Sequence, residues 1–209
     1  QKMVSMGQMI ENIAHQWRQP LSLITTGVSG IKLKKQLNDL DDNFFYDTLD
    51  SILNTSKYLS NTIDDFRYFF KPQKEKENFY LEKCCRKTID LINPNFLNKD
   101  IQINYKMENI QISGYETELI QVLINILNNS KDALKLLNDE KLIFIDIFME
   151  NKKAIIEIKD NAGGIDEEIM DKVFEPYFTT KHQSQGTGIG LFMCKEIINK
   201  HMNGQLNIS

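Results

Sequence analysis

Apolar residues recur at alternating gaps of three and four along the first stretch of the chain: Met3, Met6, Ile10, Ile13, Trp17, Leu21, Ile24, Val28 and Ile31. That spacing keeps one stripe of a helix apolar and predicts an amphipathic helix over residues 1–36. Pro20 lies inside it, removes one backbone donor, and predicts a bend just after His15. The polar run 38–43 reads as a turn with good N-cap candidates. A second seam follows at Phe45, Leu49, Ile52, Leu59, Ile63, Phe66 and Phe70, with Ser56 filling one position. Two long helices joined by a short turn predict an antiparallel hairpin. One hairpin buries a single stripe of each helix, whereas two hairpins form a four-helix bundle, so a homodimer is expected. The alternative is a hairpin packed on the rest of its own chain.

The pattern changes after Phe70. Residues 71–78 are charged, contain Pro72 and lack apolar positions, as a linker does. The boundary is therefore placed between residues 1–72 and residues 73–209. Beyond it, strands and helices alternate. Residues 79–81 read as a short strand, followed by a helix to Ile92. Residues 101–105 alternate like a half-buried strand, and 116–137 form a strong helix. Residues 142–149 and 154–159 predict two strands joined by the turn at 150–153. A helix over 188–201 and a final strand over 205–208 complete the pattern. The expected class is α+β: an N-terminal helical hairpin, then an α/β sandwich with a mixed or antiparallel sheet.

Composition narrows this picture. A hydrophobic content of 41% and a charged content of 26% are those of a globular protein. A net charge of −4 gives no electrostatic reason to expect nucleic acid as a partner. No apolar stretch reaches the ~20 residues needed to cross a bilayer, and none of these residues reads as a signal peptide. Cys84, Cys85 and Cys194 have no metal-ligand spacing, which suggests free thiols in a reducing cytoplasm. Gln1 opens inside a helical pattern and Ser209 closes inside a strand pattern, which points to a piece of a longer chain. A membrane location of that parent, at the inner membrane through a preceding region, stays open.

Five clusters carry candidate chemistry. His15 falls midway between the seam residues Ile13 and Trp17, on the side expected to face solvent, where an imidazole can act as a nucleophile. A lone surface histidine is the bland alternative. Asn125 and Asn129 are four apart and share a helix face; their amide oxygens suit a hard cation such as Mg²⁺, or they are two surface asparagines. Asp160 ends a strand and precedes Gly163 and Gly164, an arrangement that lets backbone approach a flat ligand, or an ordinary turn. The run 173–181 joins Phe174, Pro176, Tyr177 and Phe178 to Lys181, whose ammonium suits a phosphate; the aromatics also suit a hydrophobic plug. Gly186, Thr187, Gly188 and Gly190 open a helix and expose backbone N–H groups to a phosphate. That loop lacks both the Rossmann arrangement and the P-loop ending.

In this order, the clusters resemble the motifs of sensor histidine kinases of two-component systems, over nearly the whole chain. His15 to Leu21 is similar to the phosphoacceptor box, and Asn125 to Asn129 to the N box. Asp160 to Gly164 is similar to the first glycine box, Phe174 to Phe178 to the aromatic box, and Gly186 to Gly190 to the second glycine box. The resemblance implies a dimerisation and phosphotransfer hairpin followed by a Bergerat-type (GHKL) ATP-binding domain. It implies ATP and Mg²⁺ as cofactors, and a homodimer and a response-regulator receiver domain as partners. By the same resemblance His15 accepts the phosphoryl group, with Gln16 and Arg18 beside it. Asp160 reads the adenine amino group, Gly164 allows its approach, and Asn129 holds Mg²⁺ with help from Asn125. Asp132, Ile165, Phe178, Lys181, Gly186, Thr187, Gly188, Gly190 and Leu191 complete the implied nucleotide site. Three positions depart from the family. Gln16 replaces the usual acidic residue and cannot take a proton, Gln19 replaces the usual Thr or Asn, and Ala162 replaces the first glycine of its box. A binding module without transfer and a clamp-type ATPase are the rival readings.

Overall fold

The computed structural model describes residues 2–69, 75–181 and 188–208, with side chains for all of these except 2–16, 19, 58, 61–69 and 95. The chain divides into two compact units, residues 1–71 with 179–187 and residues 72–178 with 188–209.

The first unit is an antiparallel pair, α1 (Lys2–Gln36) and α2 (Asp42–Phe69). Helix α1 continues through Pro20, whose ring is buried. Asn38 takes the left-handed conformation (φ 54°) that ends α1. The Asp41 carboxylate then accepts the Phe44 N–H at 2.8 Å, an N-cap worth about 1 kcal/mol. The helices approach closely at Gly27, where a Cβ would lie 3.1 Å from Thr48 Cγ2 and 3.2 Å from Ile52. The seam on α2 differs from the expected one by a single residue. Thr55 is buried and Ser56 exposed, because a step of three and then four from Ile52 reaches Thr55 and Leu59. The Thr55 hydroxyl donates to the Ser51 carbonyl at 2.7 Å, so its burial leaves no unpaired donor. Leu21 and Val28, expected in the seam, stay 50% and 52% exposed, since Ile24, Gly27 and Ile31 fill the face toward α2.

The second unit layers helices on a mixed sheet. Strand β2 (Ile101–Met107) runs parallel to β4 (Lys141–Glu150), and β4 pairs antiparallel with β5 (Lys153–Asp160). Strands β1 (Glu77–Tyr80) and β3 (Gln111–Gly114) form a separate antiparallel pair. The alternation in β4 sends Ile143, Ile145 and Ile147 into the core and Phe144 to the other face. Helix α3 (Leu81–Leu97) supplies Ile89, Ile92 and Phe96, and α4 (Glu116–Leu134) supplies Leu127 and Leu134, to one cluster with Ile143 and Ile145. Phe79, Leu81, Cys84, Cys85, Leu119, Leu123 and Ile147 form a second cluster.

Several elements differ from the sequence-based expectation. Leu81 opens α3 rather than ending a strand, and α3 runs on through Pro94 to Leu97. Burial of Ile92 and Phe96 outweighs the backbone bond that Pro94 forfeits. β3 and the short helix α5 (Glu167–Met170) were not expected; four residues give too short a period to read. Helix α6 covers Gly190–Glu196 and continues as a π-helical turn over Ile197–His201. Residues 205–208 form no strand, because no ladder partner lies beside them among the described residues. Leu206 instead packs against Val122, Cys194 and Ile197.

Candidate functional site

Helix α4 holds Asn125 and Asn129 half-buried, one turn apart, beside the buried Val122, Leu127 and Ser130. Their neighbours fix the helix, so the two amides leave the same face at a set spacing. Gly190 begins α6 next to them: a Cβ there would stand 4.0 Å from Asn125 Cγ. The N-terminal end of α6 and the asparagine face are thus adjacent. One turn farther along α4, Asp132 pairs with Lys135, and the Lys131 ammonium donates to Asn128 Oδ1 at 2.7 Å.

Strand β5 ends on Asp160, which is half-buried. Its Oδ1 accepts the Ala162 N–H at 3.1 Å, which fixes one carboxylate oxygen and the turn that follows. Ala162 packs against the cluster that contains Leu127 and Leu134 of α4. The methyl group that replaces the expected glycine is therefore absorbed by the core. Gly163 (φ 100°) and Gly164 (φ 84°) then adopt conformations that side chains resist, and nothing lies within 4 Å of where a Cβ would be. The turn thus presents bare backbone to open space next to a carboxylate. Ile165, which follows, is 38% exposed.

The aromatic run closes on the start of α6. Tyr177 takes a left-handed conformation (φ 70°) and its N–H donates to the Gly188 carbonyl at 2.8 Å. Gly188 (φ 63°) lies so close that a Cβ would sit 2.4 Å from the Tyr177 carbonyl carbon. Val173 and Ile189 are buried, Phe178 and Leu191 are half-buried, and the Lys195 ammonium stands 4.5 Å from the centre of the Phe174 ring. The Lys181 side chain is half-buried, and its backbone N–H donates to Thr179 Oγ1 at 3.1 Å. Gly186 and Thr187 lie outside the described residues, as do the side chains of His15, Gln16 and Gln19. The expected solvent-facing orientation of His15 is therefore outside the description; α1 carries its backbone, and Arg18 is exposed.

Sequence reasoning missed three features here. The Asn161 side chain, the left-handed Tyr177 and the Lys195–Phe174 contact leave no periodic signal; only the Asn and Gly richness of the turn at 161–164 hinted at its geometry. Cys84, Cys85 and Cys194 are buried free thiols, and burial pushes Cys84 and Cys85 up to about 12. Among the described residues, no group of three or more His, Cys, Asp or Glu could hold a metal ion. No helix among them is long and apolar enough to cross a membrane.

Residues 114–209 match the family described as histidine kinase-, DNA gyrase B-, and HSP90-like ATPase. Sporulation kinase D of Bacillus subtilis (strain 168) is 28% identical over 204 residues, which cover 95% of this chain and 38% of that protein. The catalytic domain of histidine kinase ThkA is 28% identical with a TM-score of 0.55, covering 61% of this chain and 82% of that one. The chain is thus similar to histidine kinases in sequence and, over its second unit, in fold. Histidine kinase ThkA in complex with response regulator protein TrrA has the same fold over 98% of this chain and 58% of that one, with a TM-score of 0.71 at 21% identity. The chain spans less than half the length of the curated relatives it matches in sequence.

Proposed function

We propose that this chain is the working core of a two-component sensor kinase, which phosphorylates His15 from ATP and passes the phosphoryl group to an aspartate of a response regulator. In this reading residues 1–72 are the dimerisation and phosphotransfer hairpin, and residues 73–209 are the catalytic ATP-binding domain. The observation that carries it is the open glycine turn after Asp160, in the same unit as the asparagine face of α4 and the start of α6. A purine slides over Gly163 and Gly164, where side chains would block it, and its amino group donates to the Asp160 carboxylate. Gly188 and Gly190 line the phosphates, with Thr187 and Gly186 before them and Lys181 as a cation for the terminal phosphate. Phe178, Ile165 and Leu191 supply apolar walls, and Asp132 extends the polar face of α4.

The residues present fit a magnesium ion, because the Asn129 amide, with Asn125 beside it, offers a hard oxygen on a half-buried face. Bound there, the ion would neutralise charge on the phosphates. Phosphoryl transfer itself depends on position and charge more than on covalent help from the protein. A ring nitrogen of neutral His15 attacks the γ-phosphorus, the bond to the bridging oxygen breaks and ADP leaves. The proton lost from the ring goes to water, since the Gln16 amide accepts a hydrogen bond but no proton. Arg18 lies one residue beyond Gln16 and is exposed, which suits a cation facing the transferred group.

A homodimer follows from the hairpin. Leu21, Val28 and Leu53 remain at least half exposed, an apolar stripe that a second hairpin covers in a four-helix bundle. The response regulator docks on that bundle, as a regulator partners ThkA in the complex noted above. Both units work on the cytoplasmic side.

Incubation with γ-labelled ATP and Mg²⁺ tests the reading. Acid-labile, alkali-stable label is expected in the wild type and in neither His15→Ala nor Asn129→Ala. Absence of label in a wild-type protein that binds ATP and dimerises overturns it in favour of a binding module.

A further inference from the structure

Asn161 makes more specific contacts than any other side chain described in the glycine turn. Its Oδ1 accepts the Leu142 N–H at 2.9 Å, and its Nδ2 donates to the Glu140 carbonyl at 2.7 Å. Its backbone N–H donates to the Leu142 carbonyl at 3.3 Å. The regular β4–β5 ladder ends at the pair Ile143 and Asp160. Past that rung the main chain keeps one bond, from the Asn161 N–H to the Leu142 carbonyl, and then turns away to form the Asx turn at Ala162. The Asn161 side-chain amide extends the ladder beyond that last main-chain bond: it offers one acceptor and one donor, as a strand residue does, and engages Leu142 of β4 and Glu140 just before it.

This has a consequence for Asp160. The carboxylate is set from one side by the last rung of the ladder and from the other by the Ala162 N–H. The rung is only as firm as the strand ends that form it. Without the two side-chain bonds of Asn161, only its 3.3 Å main-chain bond to the Leu142 carbonyl holds the turn to the start of β4, and the end of β5 at Asp160 loosens. We propose that Asn161 is a positioning residue for base recognition: it holds the Asp160 carboxylate in register for the exocyclic amino group of a 6-aminopurine. The inference rests on the adenine-reading role given to Asp160 above. Both amide atoms are required. Aspartate at 161 keeps the acceptor for Leu142 N–H, loses the donor to Glu140 and sets a carboxylate against a carbonyl. Alanine loses both bonds.

The test compares two nucleotides on the intact chain: ATP and purine riboside triphosphate, which lacks the amino group. Wild type is expected to prefer ATP, and Asp160→Ala is expected to lose that preference. Asn161→Ala is expected to lower the preference by about fivefold to tenfold, the effect of loosening one such hydrogen bond, while affinity for purine riboside triphosphate stays within about twofold. Asn161→Asp is expected to fall in between, which keeps the test open if the alanine variant unfolds. An unchanged ATP preference in both Asn161 variants overturns the proposal. Equal loss of both nucleotides also overturns it, since that marks general loosening of the turn. A wild type that does not discriminate, with Asp160→Ala unchanged, instead removes the adenine-reading role on which the proposal rests.

Discussion

Gly188→Ala tests the packing of the candidate nucleotide site most directly. Gly188 has φ 63°, and a left-handed alanine costs about 1–2 kcal/mol. The added Cβ would stand 2.4 Å from the Tyr177 carbonyl carbon, 2.6 Å from its oxygen and 2.7 Å from the Phe178 oxygen. Carbon contacts are comfortable at about 3.5 Å, so backbone must move by about 1 Å. Backbone cannot rotate aside as the end of a lysine can. The displacement also opens the 2.8 Å bond from the Tyr177 N–H to the Gly188 carbonyl, which contributes about 1 kcal/mol. Strain and lost bond together reach about 2–3 kcal/mol before the clash is counted. The local way out is to detach the Tyr177–Gly188 junction, which separates the aromatic run from the start of α6. ATP affinity, measured by titration calorimetry, is then expected to fall by about a hundredfold. Two glycines calibrate the result. Gly163→Ala meets no atom within 4 Å but keeps a φ of 100°, so backbone strain is its only internal cost. Gly190→Ala meets Asn125 Cγ at an ordinary 4.0 Å and is expected to leave the urea midpoint near that of wild type. The steric reasoning is refuted if Gly188→Ala shifts the urea midpoint no more than Gly163→Ala does.

Two further outcomes follow from burial. Paired Leu21→Glu and Val28→Glu substitutions place charge on the half-exposed stripe of α1, and light scattering is expected to report a monomer with the helical content retained; a persistent dimer would show that this stripe is not the interface. Cys84 and Cys85, pushed from 9.0 to about 12 by burial, hold a thiolate fraction about a thousandfold below that of an ordinary thiol at pH 8. Alkylation of these two thiols is therefore expected only on unfolding. Because the folded values are raised, their contribution to stability is complete below pH 9 and is lost as the pH rises toward 12, which alkaline unfolding curves of a Cys84→Ala/Cys85→Ala variant would show as a weaker pH dependence.

The long helices were legible because each repeats its apolar period many times over, so a stray residue does not change the reading. Even there one seam position moved, from Ser56 to Thr55, since a threonine whose hydroxyl bonds its own helix packs as an apolar residue. Short elements fared worse. β3 has four residues and exists because β1 pairs with it, a long-range fact that no local window holds. The strand expected at 205–208 has the right alternation and no partner, so alternation alone did not make it a strand. α3 runs through Pro94 because the core rewards Phe96 more than the proline penalises the helix.

By itself the sequence determined the order of chemistry along the chain: a histidine on a long helix, an asparagine face, an aspartate before glycines, an aromatic run and a glycine-rich helix start. Side-chain type and spacing within one element are local properties, and local properties are written in the sequence. The tertiary structure decided what stands beside what. It set Gly190 against Asn125, locked Tyr177 onto Gly188 and made the Asn161 amide a rung of a strand to which it does not belong. Each of these joins residues separated by eleven to sixty-five positions, and such contacts form only when the whole core packs.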